Sequence, residues 1–389
     1  MRQTVVAPTA HVPQSGVRSR FDFGAGWPSP ETFPADELAA SFQRVLKQHG
    51  AAALQYGDVA GFEPLRAVIA ERIGRKDRRE LASSQVSVTA GSSNALALIC
   101  QAMVKSNDVV LVEALTWPIM LTTLRSTGCT VLPVPIDDEG VDVAAAAAMV
   151  RHLQGEGRSP RLLYTIPNFQ NPTATVLSKA RRRALVELAA SSGMVVIEDD
   201  IYGDIRYEGE AEPSLFSLDS AGCVIKTGGL SKSVAPGLRL GWVVGTAAQA
   251  KAVDAVRSDL GISPIVAMAV ADYLQRTDLD EHITAITRVY KRKREAVLEA
   301  LSRYCAKGAT WQSPQGGFYV WLKLRPGVDG DRLALAASAE GVEYRRGSYY
   351  HVSGFDEPGL RLGFSRIELG LIEPGIAALG RALERSTVL

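Results

Sequence analysis

Short apolar runs alternate with helical patterns through the middle of the chain. Each run is four or five residues long and predicts a strand, at residues 86–89, 109–112, 162–166, 194–198, 223–227 and 240–244. Between several of them the apolar positions recur with helical spacing, as at residues 94–104 and 179–191. Mostly apolar strands joined by helices are typical of a parallel sheet covered on both faces. We therefore predict an α/β fold with a mostly parallel central sheet between helices.

The pattern changes near Glu281. A long helix is predicted over about residues 283–304, and beyond it residues 316–324 and 360–364 have the pattern of strands. This change predicts a second, smaller α+β domain. We expect an N-terminal arm over residues 1–40 that packs on the small domain, a large domain over residues 41–280 and the small C-terminal domain over residues 281–389. Basic clusters at residues 75–79, 181–183 and 291–294 are expected to be solvated faces.

Composition narrows the possible function classes without selecting one. The 43 basic and 42 acidic residues nearly cancel, so no global field attracts nucleic acid or an anionic membrane. No apolar run is long enough to span a bilayer, and residues 1–20 lack the apolar core of a signal peptide. The four cysteines lie far apart in mostly apolar stretches, which predicts buried thiols in a reducing cytoplasm and neither a disulfide nor a metal site.

Polar and aromatic residues follow five of the predicted strands. They lie at residues 90–94, 113–118, 167–173 and 198–202 and in a lysine-containing loop within residues 227–242. In sheets of this kind ligands gather at the carboxyl ends of the strands. We therefore expect these groups to line one pocket.

Lys232 is the most informative of these residues. It lies among glycines and serines, between Ser231 and Ser233, with Arg239 seven residues further on. A solvated surface lysine usually lies among other polar residues of a helix. The setting of Lys232 instead suits an amine that loses its charge and attacks a carbonyl, with an arginine nearby to hold an anion.

Two further segments each allow a functional and a structural interpretation. Residues 90–94 open a helix whose free N–H groups favour an anion beside the hydroxyls of Ser92 and Ser93. Those serines could equally cap the helix. Asp199, at a strand end, could pair with a protonated ring nitrogen or cap the next segment. Tyr202 could donate to an oxygen of the same ligand or be an ordinary half-buried tyrosine.

Three other residues carry similar alternatives. Asn171, in a turn fixed by Pro172, could donate its amide to a phenolic oxygen, although Asn-Pro is also a common turn dipeptide. Trp117 offers a flat face for stacking an aromatic ring, and core packing is its alternative. Arg361 lies in the apolar run Leu-Arg-Leu-Gly-Phe and suits a bidentate clamp on a carboxylate. A structural ion pair is equally compatible with that segment.

Jointly these residues describe one ligand, an aromatic ring that carries a phosphate, an aldehyde, a phenolic oxygen and a basic nitrogen. That ligand is pyridoxal 5′-phosphate, held as a Schiff base. From about Phe21 to its end the chain resembles the class I/II aminotransferases, which are fold-type I pyridoxal-phosphate enzymes. Within them it is most similar in pattern to the 2-aminoadipate and kynurenine aminotransferases and to the aminotransferase-like half of MocR-type regulators. The motifs are Leu-Gln-Tyr-Gly-Asp (54–58), Phe-Gln-Asn-Pro-Thr (169–173), Glu-Asp-Asp-x-Tyr (198–202), Ser-Lys-x-x-x-Pro-Gly-Leu-Arg-x-Gly (231–241) and Leu-Arg-Leu-x-Phe (360–364).

The resemblance implies a role for each matching residue. Lys232 would form the Schiff base and, through a quinonoid intermediate, move the proton between the substrate Cα and the cofactor C4′. Asp199 would keep the pyridinium protonated. Asn171 and Tyr202 would bond the phenolic oxygen. Arg361, with Asn171, would bind the substrate α-carboxylate.

The resemblance also implies how the phosphate and the ring are held. The phosphate would be bound by Ser92, the backbone at Ser93, Ser231 and Arg239. Trp117 would stack on the ring. Tyr56 would reach the phosphate of a neighbouring subunit, which makes a homodimer with shared active sites the expected working unit.

Three positions depart from the family pattern. Gly229 occupies a position that often carries Ser or Thr, so one phosphate hydroxyl is absent there. Ala174 stands where Gly usually follows Asn-Pro-Thr, and Arg346, beside Arg345, stands where Pro often precedes Gly347. The departure at position 229 is expected to affect phosphate affinity, and the arginines at 345 and 346 are expected to alter the substrate entrance.

The first hypothesis is therefore a pyridoxal-phosphate-dependent aminotransferase that acts on an α-amino acid and a 2-oxo acid. A second keeps the cofactor and directs the same carbanion to β- or γ-elimination or replacement, cyclisation, decarboxylation or oxidation. A third is a ligand-sensing module without catalysis, like the regulator half. The short segment ahead of the resemblance and the net charge of +1 argue against the third. These residues leave the amino acid and its acceptor open, and we expect residues 21–27 and segments of a partner subunit to shape the substrate pocket.

Overall fold

The computed structural model describes residues 19–355 and 357–387 of the 389-residue chain. Within those ranges the chain forms twelve α-helices and fifteen strands, together with short 3₁₀ segments. The helices are α1 (Ala35–His49), α2 (Glu63–Asp77), α3 (Ser92–Met103), α4 (Pro118–Ser126), α5 (Val143–Gly155), α6 (Lys179–Ser192), α7 (Leu215–Leu218), α8 (Ala247–Ala255), α9 (Pro264–Arg276), α10 (Leu279–Tyr304), α11 (Gly330–Ala339) and α12 (Leu369–Ser386). The strands are β1 (Phe21–Asp22), β2 (Val86–Thr89), β3 (Val109–Glu113), β4 (Thr130–Val134), β5 (Ile136–Asp137), β6 (Gly140–Val141), β7 (Pro160–Thr165), β8 (Val195–Asp199), β9 (Val224–Gly229), β10 (Gly241–Val244), β11 (Ala309–Trp311), β12 (Tyr319–Leu324), β13 (Val342–Glu343), β14 (Arg345–Arg346) and β15 (Gly359–Gly363).

A seven-stranded sheet, here called the large sheet, forms the centre of the molecule. Its strand order is β2-β10-β9-β8-β7-β3-β4, and every strand but β10 runs in the same direction. The predicted α/β fold with a mostly parallel sheet is confirmed. The antiparallel direction of β10 was not predicted, because an apolar run specifies burial and not strand direction.

Separate apolar cores cover the two faces of the large sheet. In β3, Val109 and Leu111 belong to the core that contains side chains of α2, α5, α6 and α9. Val110 and Val112 belong to the core that contains side chains of α3, α4 and α10. Each such buried valine or leucine contributes about 1.5–3 kcal/mol relative to an exposed one. Burial on both faces explains why these strands are apolar throughout.

A second, four-stranded antiparallel sheet, the small sheet, follows α10 in the chain. Its order is β11-β12-β15-β14. In β12, Val320 and Leu322 pack in a third core with side chains of α10 and α12. Tyr319 and Trp321 alternate with them and therefore face the other way, toward the large sheet. Residue Phe21 of β1 pairs with Val342 of β13, whereas residues 1–18 of the expected arm lie outside the described residues.

The expectation of solvated basic clusters is wrong for three side chains. Lys293, Arg294 and Arg182 are each 3% exposed or less. Lys293 donates to Ser29 Oγ and Ser365 O, and Arg182 donates to the carbonyl oxygens of Leu177 and Pro167. Arg294 donates to Pro314 O and pairs with Glu208. Carbonyl oxygens, a serine hydroxyl and the carboxylates of Glu31 and Glu208 offset the cost of burying these cations, and no local pattern reports such contacts.

Burial of the cysteines follows the prediction in part. Cys100 and Cys305 are buried, Cys129 and Cys223 are half-buried, and all four are free thiols. Burial raises the pKa of Cys100 to about 12, so this thiol is unreactive at neutral pH. Over residues 19–355 and 357–387 we find no helix with the length and apolar character that crossing a membrane requires.

Candidate active site

The carboxyl ends of β7, β8 and β9 bring Asn171, Asp199 and Lys232 to one edge of the large sheet. β8 ends at Asp199, and Lys232 follows three residues after the end of β9. The loop after β7 carries Asn171, which is 4% exposed. Because parallel strands end at the same edge of the sheet, residues distant in sequence meet there.

Lys232 is half-buried and faces aromatic side chains. Its Nζ donates to the carbonyl oxygen of Gly26, 2.9 Å away, and lies 5.6 Å from the ring centre of Tyr202 and 5.8 Å from that of Phe318. Burial lowers the pKa of this amine, and the positive charge of Arg361 acts in the same direction. A lysine with a lowered pKa has more of the neutral form that attacks a carbonyl.

Asp199 keeps one carboxylate oxygen without a partner. The side chain is 2% exposed, and Oδ2 accepts a hydrogen bond from the hydroxyl of Tyr164 at 2.7 Å. Oδ1 is buried and has no hydrogen-bond partner among the described residues. Burial raises the pKa of Asp199 to about 6. A cation or an N–H donor placed at Oδ1 would stabilise the ionised form of this buried carboxylate.

The neighbouring Asp200 has a different environment. It accepts a hydrogen bond from Asn168 Nδ2 at 2.7 Å and pairs with Lys226 at 3.3 Å. The two consecutive carboxylates therefore differ, since Asp200 has a cation and Asp199 does not. Of the two carboxylates, Asp199 is therefore the one that keeps an oxygen without a partner in the described part of the chain.

The start of α3 lies beside the guanidinium of Arg239. The helix begins at Ser92 with Gly91 as its N-cap, and no side chain caps it, so the capping alternative for Ser92 and Ser93 is wrong. Arg239 donates from Nη2 to the carbonyl oxygen of Ala90 at 3.2 Å. A Cβ added to Gly91 would lie 2.9 Å from that Nη2, so the guanidinium rests against the turn. A helix N-terminus and a guanidinium together favour a phosphate.

Ser231 and Gly229 lie in the chain segment that precedes Lys232. Ser231 is half-buried in the turn that precedes Lys232. Gly229 ends β9 opposite Gly241, and a Cβ added to it would lie 3.0 Å from the carbonyl oxygen of Leu240. Position 229 therefore lacks a side-chain hydroxyl at a point where β9 and β10 approach each other closely.

Arg361 is bound by neutral groups and not by an acid. It is 6% exposed, and its Nη1 donates to Asn171 Oδ1 at 2.8 Å while its Nη2 donates to Gly24 O at 2.7 Å. Its Nε has no hydrogen-bond partner among the described residues. No carboxylate of residues 19–355 or 357–387 pairs with Arg361 in the ion pairs found there, so the structural ion-pair alternative is wrong.

Trp117 and Tyr56 occupy contrasting positions. Trp117 is half-buried, immediately precedes α4 and packs against the core that contains α3 and α4. Tyr56 is 79% exposed on the surface between α1 and α2. The structure of one chain therefore does not bring Tyr56 into the group around Lys232.

A buried network supports the loop that carries Asn171. Gln170 donates through Nε2 to Glu113 Oε2 at 2.9 Å and to Leu115 O at 2.6 Å. Its Oε1 accepts from the backbone and hydroxyl of Thr173. Burial raises the pKa of Glu113 to about 7. These bonds fix the turn on both sides of Asn171.

Sequence reasoning missed several residues of the site. Tyr319 is 2% exposed, and its hydroxyl forms a 2.7 Å hydrogen bond with that of Tyr202. The carbonyl oxygens of Gly24 and Gly26 accept from Arg361 and Lys232. Gly24 and Gly26 lie in the segment of residues 21–27 that is expected to shape the substrate pocket, whereas their two carbonyl contacts gave no sequence signal. Tyr319 gave no signal, since tyrosine is common in strands.

The other departures are accommodated locally. Ala174 has a φ of 61°, in the left-handed region that favours glycine. Arg345 pairs with Glu343 at 3.1 Å, and Arg346 pairs with Asp331 at 2.6 Å. Both arginines thus have acidic partners on the small-sheet side of the molecule.

Comparison with known proteins matches the chain to aminotransferases. The family model described as Aminotransferase class I and II matches residues 21–379. Aromatic-amino-acid aminotransferase 1 of Thermococcus litoralis is 33% identical, over 92% of this chain and 87% of that protein. The 2-aminoadipate transaminase of Thermus thermophilus is 35% identical, over 93% of this chain and 89% of that protein.

A solved structure agrees in the course of the backbone. Pyrococcus horikoshii kynurenine aminotransferase, determined in complex with PMP, superimposes with a TM-score of 0.90 at 31% identity. The match covers 94% of this chain and 90% of that chain.

Proposed function

The chain belongs to the class I and II aminotransferases, which are fold-type I pyridoxal-phosphate enzymes, and we propose that it binds pyridoxal 5′-phosphate at Lys232. We further propose that it moves an amino group between an α-amino acid and a 2-oxo acid. The observation that carries this proposal is the unpaired, buried Oδ1 of Asp199 in the same site as an amine whose pKa burial lowers. The rest of the site supports it as follows.

The residues present fit the cofactor. A protonated pyridine nitrogen is the N–H donor that Asp199 Oδ1 requires, and that pairing would offset the cost of the buried charge. The start of α3, Ser92 and Arg239 provide hydrogen-bond donors and a positive charge for a phosphate. Ser231 and the backbone of Ser93 would add donors on the same side. Trp117 would pack on one face of the ring.

Asn171 and Tyr202 would bind the phenolic oxygen. Because Asn171 Oδ1 accepts from Arg361, the Nδ2 of the same amide is directed away from Arg361 and can donate to another oxygen. Burial raises the pKa of Tyr202 well above its ordinary value, so its hydroxyl stays protonated and can donate. Donors at this oxygen stabilise its ionised form.

Lys232 and Arg361 would handle the substrate. When bound, the cofactor supplies an aldehyde carbon that takes up the amino group and a ring that accepts the electron pair left at the substrate Cα. Nζ of Lys232 would take a proton from the substrate Cα and would return a proton to the cofactor C4′. Arg361 would bind the α-carboxylate through its two-pronged guanidinium, with Asn171 beside it.

A homodimer with shared sites is part of this proposal. Tyr56 is exposed, and the apolar side chains of Leu54 and Leu260 nearby are 70% and 61% exposed. The two segments are adjacent, since a Cβ on Gly261 would lie 2.9 Å from Asp58 O. An exposed apolar surface of this kind suits an interface, from which Tyr56 of each subunit would reach the phosphate of the other.

We also propose the domain division and the compartment. The large sheet falls in residues 41–280 and the small sheet in residues 281–389, as expected for two domains. The four free thiols favour a reducing cytoplasm.

Amino transfer can be tested with a panel of L-amino acids. Purified protein is supplied with pyridoxal 5′-phosphate and one 2-oxo acid, and the new oxo acid and new amino acid are measured together. The proposal expects equal amounts of both from at least one donor. Consumption of a donor without a stoichiometric new amino acid would replace transamination with elimination, replacement or oxidation. Binding of the cofactor without turnover of any donor would favour a sensing role.

A further inference from the structure

The hydroxyls of Tyr202 and Tyr319 form a buried hydrogen bond between the two sheets. The oxygens are 2.7 Å apart, and the rings meet edge to face with centres 5.6 Å apart. Tyr202 follows β8 of the large sheet, whereas Tyr319 begins β12 of the small sheet. The two side chains are 4% and 2% exposed, so water does not compete for this bond.

The ring of Tyr319 also supports Arg361. The guanidinium carbon of Arg361 lies 4.0 Å from the centre of the Tyr319 ring, the distance of a close cation–π contact. Arg361 is directly opposite Trp321 in the β12–β15 pair, and Trp321 and Tyr319 lie on the same face of β12. The ring of Tyr319 therefore contacts Arg361, the proposed carboxylate-binding group. Its hydroxyl contacts Tyr202, the proposed donor to the phenolic oxygen.

The Tyr319 hydroxyl is also confined from the side of Lys232. A Cβ on Gly26 would collide with the Tyr319 oxygen, and the carbonyl oxygen of Gly26 accepts from Lys232 Nζ at 2.9 Å. The backbone of Gly26 thus contacts both the amine of Lys232 and the oxygen of Tyr319, and it leaves the tyrosine oxygen little freedom. This confinement favours one fixed arrangement of the two hydroxyls.

We propose that Tyr319 is a positioning residue that donates its hydroxyl hydrogen to Tyr202 and so directs the hydrogen of Tyr202 toward the phenolic oxygen of the cofactor. The inference rests on the proposed function of the same site. Of two bonded hydroxyls only one donates in the shared bond. If Tyr319 donates, Tyr202 keeps its own hydrogen for the cofactor, and its donor strength rises because its oxygen is an acceptor at the same time.

Loss of the Tyr319 hydroxyl should raise the pH at which the absorbance of the bound cofactor changes. In Tyr319→Phe, Tyr202 becomes a weaker donor, so the ionised phenolic oxygen is less stabilised and the protonated form of the bound cofactor is favoured. The pH midpoint of the cofactor absorbance change therefore rises, by about half a pH unit. The ring remains under Arg361, so the KM for the amino donor changes less than about twofold while kcat falls by roughly three- to tenfold.

The experiment is a double-mutant cycle read by absorbance as a function of pH. It compares the holoenzyme with Tyr319→Phe, Tyr202→Phe and the double variant, and uses Tyr273→Phe as the control. Tyr273 is a buried tyrosine of α9, outside the site, whose hydroxyl has no hydrogen-bond partner within the described ranges. Because Tyr319 acts through Tyr202, we expect the double variant to have the midpoint of Tyr202→Phe alone, and Tyr273→Phe to have the wild-type midpoint.

Each outcome decides between explanations. Midpoint shifts that add in the double variant would overturn the inference, because they would give Tyr319 an effect independent of Tyr202. An unchanged midpoint in Tyr319→Phe would overturn it as well. If the wild-type protein shows no pH-dependent cofactor absorbance, the proposed function itself fails. If the wild type titrates and Tyr319→Phe titrates with the same midpoint, only the inference about Tyr319 fails.

Discussion

Arg361 donates from Nη1 to Oδ1 of Asn171, 2.8 Å away, and this bond connects the small sheet to the loop after β7 of the large sheet. It fixes the orientation of the Asn171 amide, because the oxygen must face the guanidinium. It also holds the guanidinium in place without a neutralising acid. A substrate carboxylate can therefore supply the negative charge that Arg361 lacks.

Replacement of Arg361 by lysine should impair use of the amino donor far more than cofactor binding. Lysine keeps the charge but loses the planar pair of donors and the stacking on Tyr319. We expect kcat/KM for the amino acid to fall by roughly 10²-fold, with the dissociation constant of the cofactor changed less than about threefold. Steady-state kinetics and cofactor titration measure the two quantities.

Arg381→Lys is the matched control for that substitution. Arg381 forms a surface ion pair with Glu340 and lies on α12. Surface pairs contribute little, so its kinetics should match the wild type. Equal losses in the two variants, or a loss of cofactor affinity in Arg361→Lys that matches the kinetic loss, would remove the carboxylate role from Arg361.

Sequence patterns predicted most of the large sheet, and the exceptions have physical causes. Residues 86–89 form β2 as predicted, and the ends of the other five predicted strands differ from the observed ends by at most two residues. β4 was not predicted because its first residue is exposed and the next three are only half-buried. Burial of Lys293 depends on carbonyl and hydroxyl partners up to 264 residues away, which no local pattern reports.

Asp199→Asn should stabilise the cofactor-free protein at neutral pH. Burial raises the pKa of Asp199 from 3.8 to about 6, so the folded protein holds this proton more tightly than the unfolded chain does. The stability contribution of this carboxyl therefore falls as pH rises from about 4 to about 6, and stays low above that range. We expect Asp199→Asn to raise the free energy of unfolding by about 1–3 kcal/mol at pH 7 and by almost nothing at pH 4.

Denaturant unfolding at the two pH values measures that difference, with Asp36→Asn at an exposed position of α1 as the control. Cofactor affinity should change in the opposite direction, falling roughly tenfold or more, because Asn leaves the ring nitrogen without its anion. A variant that is less stable than the wild type at pH 7, or that binds the cofactor equally well, would contradict the role given to Asp199.

Ala174→Gly should stabilise the loop that carries Asn171. Ala174 has a φ of 61°, which costs an L-residue about 1–2 kcal/mol, and glycine adopts this conformation without that cost. The greater freedom of glycine in the unfolded chain offsets part of the gain. We expect the free energy of unfolding to rise by about 0.5–1 kcal/mol. Ala148→Gly, at an exposed position inside α5, should instead lower it by about 1 kcal/mol. A loss of stability in both variants would contradict the strain at position 174.

Mixed dimers can test the shared site. If Tyr56 serves the other subunit, a dimer of one Lys232→Ala chain and one Tyr56→Ala chain contains one site with both residues intact. Random mixing makes half of the dimers mixed, so activity should recover to about one quarter of the wild-type value. Mixing Lys232→Ala with a chain that carries both substitutions should recover none. Absence of recovery in the first mixture, while the two variants do form mixed dimers, would place Tyr56 outside the active site.

The candidate site was predictable where residue type and strand end coincide, and not where contacts cross between sheets. Asp199 ends an apolar strand, and Lys232 and Asn171 lie three and six residues beyond the ends of two others, so the geometry of a parallel sheet predicts that they meet. Tyr319 meets Tyr202 across 117 residues of sequence, and only the packing of the small sheet on the large sheet determines that contact. The role proposed for Tyr56 requires a second chain, which a single sequence does not describe.

The most direct test of the account is to locate the covalent bond between cofactor and protein. The protein is loaded with pyridoxal 5′-phosphate, reduced with borohydride, digested and analysed by mass spectrometry. We predict the cofactor mass on one peptide, at Lys232, an absorbance in the near-ultraviolet to violet range before reduction, and neither signal in Lys232→Ala. The cofactor on another lysine, or labelling of Lys232→Ala equal to that of the wild type, would contradict the account.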